Sequence, residues 1–268
     1  MLYLRAEQAI NEPDPERKAA LTVALRRDWD AGELRRNGRG EPVRAVSEPG
    51  RPPRPLLVHP RELVQRKLTT DEGRAALVHA VAHIEFNAIN LALDAVYRFR
   101  DMPDAYYSDW LRVAAEEAGH FRLLAVRLEE LGHGYGDFPA HDGLWEMCRR
   151  TGHDVLVRMA LVPRVLEARG LDVTPGMMQK LRSAGDHRTN EVLAVILDEE
   201  LAHVAIGSHW FRYCCEQRGQ DPEATFDDLL TRYMTAGVRG PFNTEARRSA
   251  GFSAADMQVL ERLDVRFQ

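Results

Sequence analysis

The sequence predicts an all-α protein organised around a four-helix bundle, and three observations predict it. Glu116-Glu117-Ala118-Gly119-His120 and Glu199-Glu200-Leu201-Ala202-His203 both read E-E-x-x-H, with each position of the second copy 83 residues after its counterpart. A further glutamate precedes each copy at matched distance, Glu85 lying 32 residues before Glu117 and Glu167 lying 33 before Glu200. The segments around these residues repeat apolar side chains at helical spacing, and no segment shows the alternation of a half-buried strand.

Residues three apart share a helix face, so each Glu-x-x-His pair aims two donors at one place. Trp110, Val113, Ala114, Phe121, Leu124 and Leu128 surround Glu117 at helical spacing. Leu193, Ile196, Leu197, Val204 and Phe211 surround Glu200, and Val81, Ala82, Ala88, Ile89, Ala92 and Val96 surround Glu85. An acidic face turned to solvent would not sit in such stripes; a core-facing one does. A carboxylate in a core is costly unless it is paired or binds a metal. Four of them around one point repel until some protonate. Two divalent cations cancel four negative charges and leave two neutral imidazoles as further donors. Four glutamates and two histidines form the ligand set of a carboxylate-bridged di-iron or di-manganese bundle. Oxygen and imidazole donors without thiolate suit iron or manganese rather than copper(I) or a structural zinc. Glu167 follows the apolar stripe Leu156, Met159, Ala160, Pro163, but Arg164 lies one turn before it. Glu146 is the rival on that segment; Asp142, Arg149 and Arg150 surround it, so it reads as solvated.

Taken in chain order, residues 14 to about 33 read as a first helix entered through Pro13 and Pro15. Residues 34–60 are rich in proline and arginine and read as a linker or as an arm laid over the bundle. Their charge run (Arg35, Arg36, Arg39, Arg44, Arg51, Arg54) reads as a solvated face. These parts make up an N-terminal region, 1–68. The bundle follows over 69–219. Its first helix opens at a Thr69/Glu72 capping box and runs to about Arg100. Its second starts at Pro103 and stops at Gly132. A link this short makes the two antiparallel neighbours. Counting outward from a turn near residue 102 sets Glu85 level with Glu117 and His120. After a loop over 133–143 a third helix runs from near Leu144 to Arg169, stopped by Gly170 and kinked at Pro163. A short helix restarts at Thr174-Pro175, and the fourth bundle helix spans about 186–218. The region 220–268 adds helices near 222–236 and 253–265.

A net charge of −5 gives no general drive toward nucleic acid or an anionic membrane. The three cysteines, Cys148 and the adjacent Cys214 and Cys215, have no metal-type spacing and read as inert thiols of a reducing compartment. The N-terminus lacks a continuous apolar signal region, and no uninterrupted apolar stretch is long enough to span a membrane, so the expectation is a cytoplasmic protein. His79 and His83 lie off the face of Glu85 and read as surface positions or as supports for a ligand. His209 is off the face of His203, and His133 and His141 fall in a loop. Trp145 and Met177-Met178 read as core packing.

Over about residues 69–219 the chain resembles the ferritin-like di-metal carboxylate superfamily. The segments PGRPPRPLLVHPREL, HIEFNAINLALDAV, EEAGHF, YGDFPAHDGLWE, VLEARGLDVTP and DEELAHV look like a bacterial family catalogued as domain of unknown function 455, with a ferritin-like core. The superfamily resemblance implies Glu85, Glu117 and His120 on one metal and Glu167, Glu200 and His203 on the other, with Glu117 and Glu200 bridging. It implies that Glu116 and Glu199 orient a ligand histidine across the bundle. Iron is the first expectation, with manganese or a mixed iron/manganese pair accepted by the same donors. The resemblance alone does not choose among the superfamily's activities; the elements added to the bundle favour an oxidoreductase that activates O₂ or peroxide to oxidise or hydroxylate a small-molecule or nucleoside substrate, with an electron-donor protein and a homodimer among the expected partners. Chemistry like that of the tRNA-modifying monooxygenase stays open. The alternative is iron or manganese storage or sensing without turnover. A radical-generating subunit would place a tyrosine about one turn past the first ligand histidine, where this chain has Leu124.

Overall fold

Two long helices joined by a tight turn carry the first half of the motif. They are α3 (Asp71–Arg98) and α4 (Asp104–Glu130). The structure, a computed structural model, describes residues 1–36 and 42–265; Gly38, Arg39 and Gly40 of the arm lie outside the described residues. The chain divides into two compact units, Met1–Arg149 and Arg150–Gln268. Both are helical. Among the described residues β pairing occurs only as isolated bridges, Leu57 with Ala140 and Val238 with Asp264.

In the first unit the sequence's first helix is α2 (Pro15–Asp30), and an unforeseen helix, α1 (Leu2–Asn11), precedes it. α1 is held by Leu2, Tyr3, Ala6, Ala9 and Ile10, all buried on one stripe. Its open C-terminal carbonyls find Lys18 on α2, whose ammonium donates to Ala9 O (3.0 Å), Ile10 O (2.5 Å) and Asn90 Oδ1 (2.7 Å). Burial pushes this lysine down to about 7. α3 begins one residue later than expected: the capping side chain is Thr70, which accepts from Gly73 N, and not Thr69. Most of α3 is buried. It is long and apolar enough to pass for a membrane span by length and composition, and 78% of that stretch lies inside the protein.

The Pro/Arg-rich segment is an arm and not a free linker. Arg35 O accepts from Leu2 N (3.0 Å), Gly50 N donates to Ile10 O (2.8 Å), and Ser47 O accepts from Trp145 Nε1 (3.0 Å). Leu56 and Val58 exchange backbone bonds with Ala140. Arg36 is not merely solvated: its guanidinium lies over Tyr107 and meets Met102 O and Asp104, each at 2.7 Å. A short helix, α5 (Gly143–Arg150), closes this unit with Trp145 fully buried.

In the second unit the expected third helix is broken. α6 (Val155–Leu161) follows a gap at 151–154 and passes into a π-helical turn over Val162–Glu167, which leads directly into α7 (Ala168–Ser183). The kink expected at Pro163 takes the form of this π turn, a known cause of helix distortion. Gly170 does not stop the helix, and Pro175 does not start a new one, because α7 runs through both. Proline lacks the N–H that would bond the carbonyl four residues back. That carbonyl, Leu171 O, accepts instead from Asn243 Nδ2 (3.2 Å). α8 (His187–Gln217) is the longest helix and is capped by Asp186. The tail holds α9 (Pro222–Tyr233), α11 (Ala254–Arg262) and, between them, an unforeseen α10 (Thr244–Ser249).

Candidate metal centre

α3 and α4 are antiparallel neighbours, so residues equally far from their turn are level, and Glu85, Glu117 and His120 meet. His120 Nδ1 lies 3.1 Å from Glu117 Oε2 and 3.4 Å from Glu85 Oε2. One donor atom from each residue falls within 4.8 Å of the others, and all three residues are buried. Burial first, and then the charge of Glu117, pushes Glu85 well above the usual carboxylate range. Burial would lower His120, but Glu117 and Glu85 outweigh it and push the imidazole up to about 11. Two carboxylates buried this close together need positive charge beside them, from protons or from a bound cation.

In the second unit α8 brings Glu200 and His203 together, with His203 Nδ1 3.3 Å from Glu200 Oε2 and both residues buried. α7 passes closely here. A methyl group at Gly170 would stand 3.5 Å from Glu200 Cγ, so the glycine leaves room beside that carboxylate. Glu167 is buried at the last position of the π turn. Glu146 is exposed and Arg149 pairs with Asp142 (3.0 Å), as expected of a solvated segment. Glu116 is half-buried and pairs with Arg112 one turn earlier on α4 (3.3 Å); Glu199 is half-buried on α8.

Three features escaped the sequence reading. His79 and His83 are not surface residues. They are buried on α3 under the loop that follows α4, where Tyr135 stacks on both rings. His79 Nε2 accepts from Gly136 N (2.9 Å), and His83 Nδ1 bonds the Tyr135 hydroxyl (2.9 Å). Burial pushes each histidine down to about 4, so both are neutral rings. Their i, i+4 spacing opposite the aromatic YGDF segment was the available signal. Second, Arg164 does not weaken the apolar stripe before Glu167. Its guanidinium is buried 4.1 Å from the Phe226 ring centre, 4.5 Å from Phe252 and 4.6 Å from Phe211, and it pairs with Asp256 at 2.7 Å. Third, the π turn has no signature beyond Pro163. Cys148, Cys214 and Cys215 are buried and form no disulfide, and burial pushes Cys214 up to about 12, which suits inert packing.

The family described as "Protein of unknown function (DUF455)" matches residues 11–258. A Haemophilus influenzae protein named "Uncharacterized protein" is 48% identical over 220 residues, covering 80% of this chain and 76% of its own length. No solved structure matches the chain.

Proposed function

We propose that this chain, which belongs to the DUF455 family, is a di-metal oxidoreductase, with Glu85, Glu117 and His120 holding one ion and Glu167, Glu200 and His203 the other. The buried Glu85, Glu117 and His120 cluster carries this reading. Two carboxylates and an imidazole crowded away from water, with one carboxyl pushed far above its ordinary range, are a poor arrangement for stability alone. They are a good one for a divalent cation that displaces the protons. The repeated motif puts Glu200 and His203 in the same relation on α8.

When bound, a pair of iron or manganese ions supplies electrons and Lewis acidity for reaction with O₂ or peroxide. The chain's own residues fix the donors and keep water away. Glu85 and Glu117 would hold an ion as carboxylates and His120 as a neutral ring, through Nδ1, the nitrogen that faces both carboxyl groups. The apolar neighbours Phe121 and Leu124 keep that side dry. The substrate is a small molecule or nucleoside, and electrons come from a separate donor protein.

Aerobic titration of anaerobically purified protein with iron(II) tests the proposal. The expected result is about two ions per chain, as in carboxylate-bridged bundles, with O₂ uptake that stops at a stoichiometric limit until a reductant and substrate are added. Retention of many irons per chain as a mineral would establish storage instead. No binding at all would remove the metal reading.

A further inference from the structure

The C-terminal tail grips the chain on both sides of Glu167, and one residue makes both contacts. Arg247 on α10 is 1% exposed. Its Nη1 donates to Arg164 O (3.2 Å) inside the π turn. Its Nε and Nη2 form a two-pronged pair with Asp172, at 2.9 and 2.7 Å to the two carboxylate oxygens on α7. Glu167 lies between these two anchor points. The same tail supplies further holds. Asp256 at the start of α11 pairs with Arg164, Phe226 and Phe252 face its guanidinium, and Asn243 N donates to Asp172 Oδ1 (2.8 Å). On the other side Pro163 rests on α8 at Gly207, where a Cβ would overlap the proline ring.

Two buried guanidiniums paired with two buried carboxylates cost more desolvation than apolar side chains of the same volume would. A stability role alone does not account for that choice. A positional role does. Fork-shaped Arg–carboxylate pairs fix direction as well as distance, and π turns are rare, single-turn departures from the α-helix found frequently at functional sites. Relaxation of the turn by one residue would swing Glu167 by about 100° around the helix axis. We infer that Arg247 is a positioning residue that fixes the π turn from the tail and so holds Glu167 in the direction from which it can bind a metal ion. This rests on the di-metal reading above.

Coupling between two sites is reciprocal. If Arg247 prepares Glu167 for metal, metal on Glu167 must steady the segment that holds Arg247. The test is hydrogen exchange of the full chain with and without manganese(II), read over residues 162–172 and 243–249, alongside manganese stoichiometry. In the wild type, loading to two ions should slow exchange in both segments. Glu167→Gln should abolish the slowing at 243–249. Arg247→Met should keep its helical circular dichroism but bind one of the two ions about 10- to 100-fold more weakly, the range seen when residues supporting ligands are removed. Arg247→Lys should recover part of that loss, and the exposed neighbour Arg248→Met should bind as wild type. Wild-type affinity for both ions in a folded Arg247→Met overturns the inference. So does unchanged exchange at 243–249 in a wild type carrying two ions. Should Arg247→Met fail to fold, the comparison of wild type with Glu167→Gln decides alone. A wild type that binds no manganese(II) or iron(II) refutes the di-metal reading itself, and does so before any variant is compared.

Discussion

Asn243 donates its side-chain amide to Leu171 O at 3.2 Å, the carbonyl that Pro175 strands one turn further along α7. A bond made by a residue far along the chain therefore lets a helix continue through a proline. Asn243 also caps α10, its Oδ1 accepting from Ala246 N (3.1 Å). Asn243→Asp keeps the cap and loses the donor, and is expected to cost about 1–3 kcal/mol, the penalty of an unsatisfied buried acceptor. With Pro175→Ala present the helix supplies its own donor, and the same Asn243→Asp change should cost clearly less. Urea midpoints of the four proteins in this cycle measure the difference. Equal costs in both backgrounds would contradict the assignment.

Glu117→Ala should separate metal binding from folding. It takes from buried His120 the carboxylate 3.1 Å away, so the chelated variant should melt no higher than the chelated wild type. The rise in melting temperature that iron(II) or manganese(II) gives the wild type should vanish. A ligand present at 100 times its Kd stabilises by about 2.7 kcal/mol, a shift well within reach of calorimetry. Glu129→Ala and Glu130→Ala, both at exposed positions near the end of α4, should retain the rise.

Two glycines in the second unit should respond with opposite signs. Gly207→Ala drives a methyl group into the ring of Pro163, where neither backbone can yield, and should destabilise by about 1–3 kcal/mol. Gly176 lies on an exposed stretch of α7 with nothing near its missing Cβ. Gly176→Ala should stabilise by about 0.5–1 kcal/mol through helix propensity. Denaturant titration of both, in chelator, checks the pair.

His79 gives the fold an acid sensitivity independent of metal. Its ring is held neutral, pushed down from 6.5 to about 4 by burial. Above pH 6.5 neither the folded nor the unfolded ring carries a proton, and the packing is fully effective. Below 6.5 the unfolded state binds the proton first, so stability falls from there until the folded ring also titrates near 4. The expected loss is about 1–3 kcal/mol across that window. His79→Gln keeps an acceptor for Gly136 N without titrating. Its stability, measured in chelator from pH 7.5 to 4, should fall less steeply than that of the wild type, and parallel curves would refute the assignment.

The bundle helices were legible because a 3.6-residue apolar period and a tight turn are local properties. Glu85, Glu117 and His120 could be set level by counting from residue 102, since both helices rise at the same rate. What escaped depends on distant partners. His79 and His83 read as surface positions or ligand supports because they leave the stripe of Glu85, and periodicity does not reveal which loop will cover the other face. Gly170 and Pro175 looked like breaks because their compensation, Asn243, lies in the tail. Arg164 looked like a flaw in an apolar stripe because its three phenylalanines come from later segments. α1 and α10 are short and draw their order from the elements they dock on.

The π turn over Val162–Glu167 also has a genetic reading. A π turn is an α-helix carrying one surplus residue, so the distance from this segment to a plain helix is a single in-frame codon. Deleting one position between Val162 and Val165 would leave composition and hydropathy almost untouched while turning the whole preceding helix relative to Glu167. Within the family, an alignment that opens a one-residue gap here would therefore mark a change of side-chain direction and not a harmless trimming of a loop.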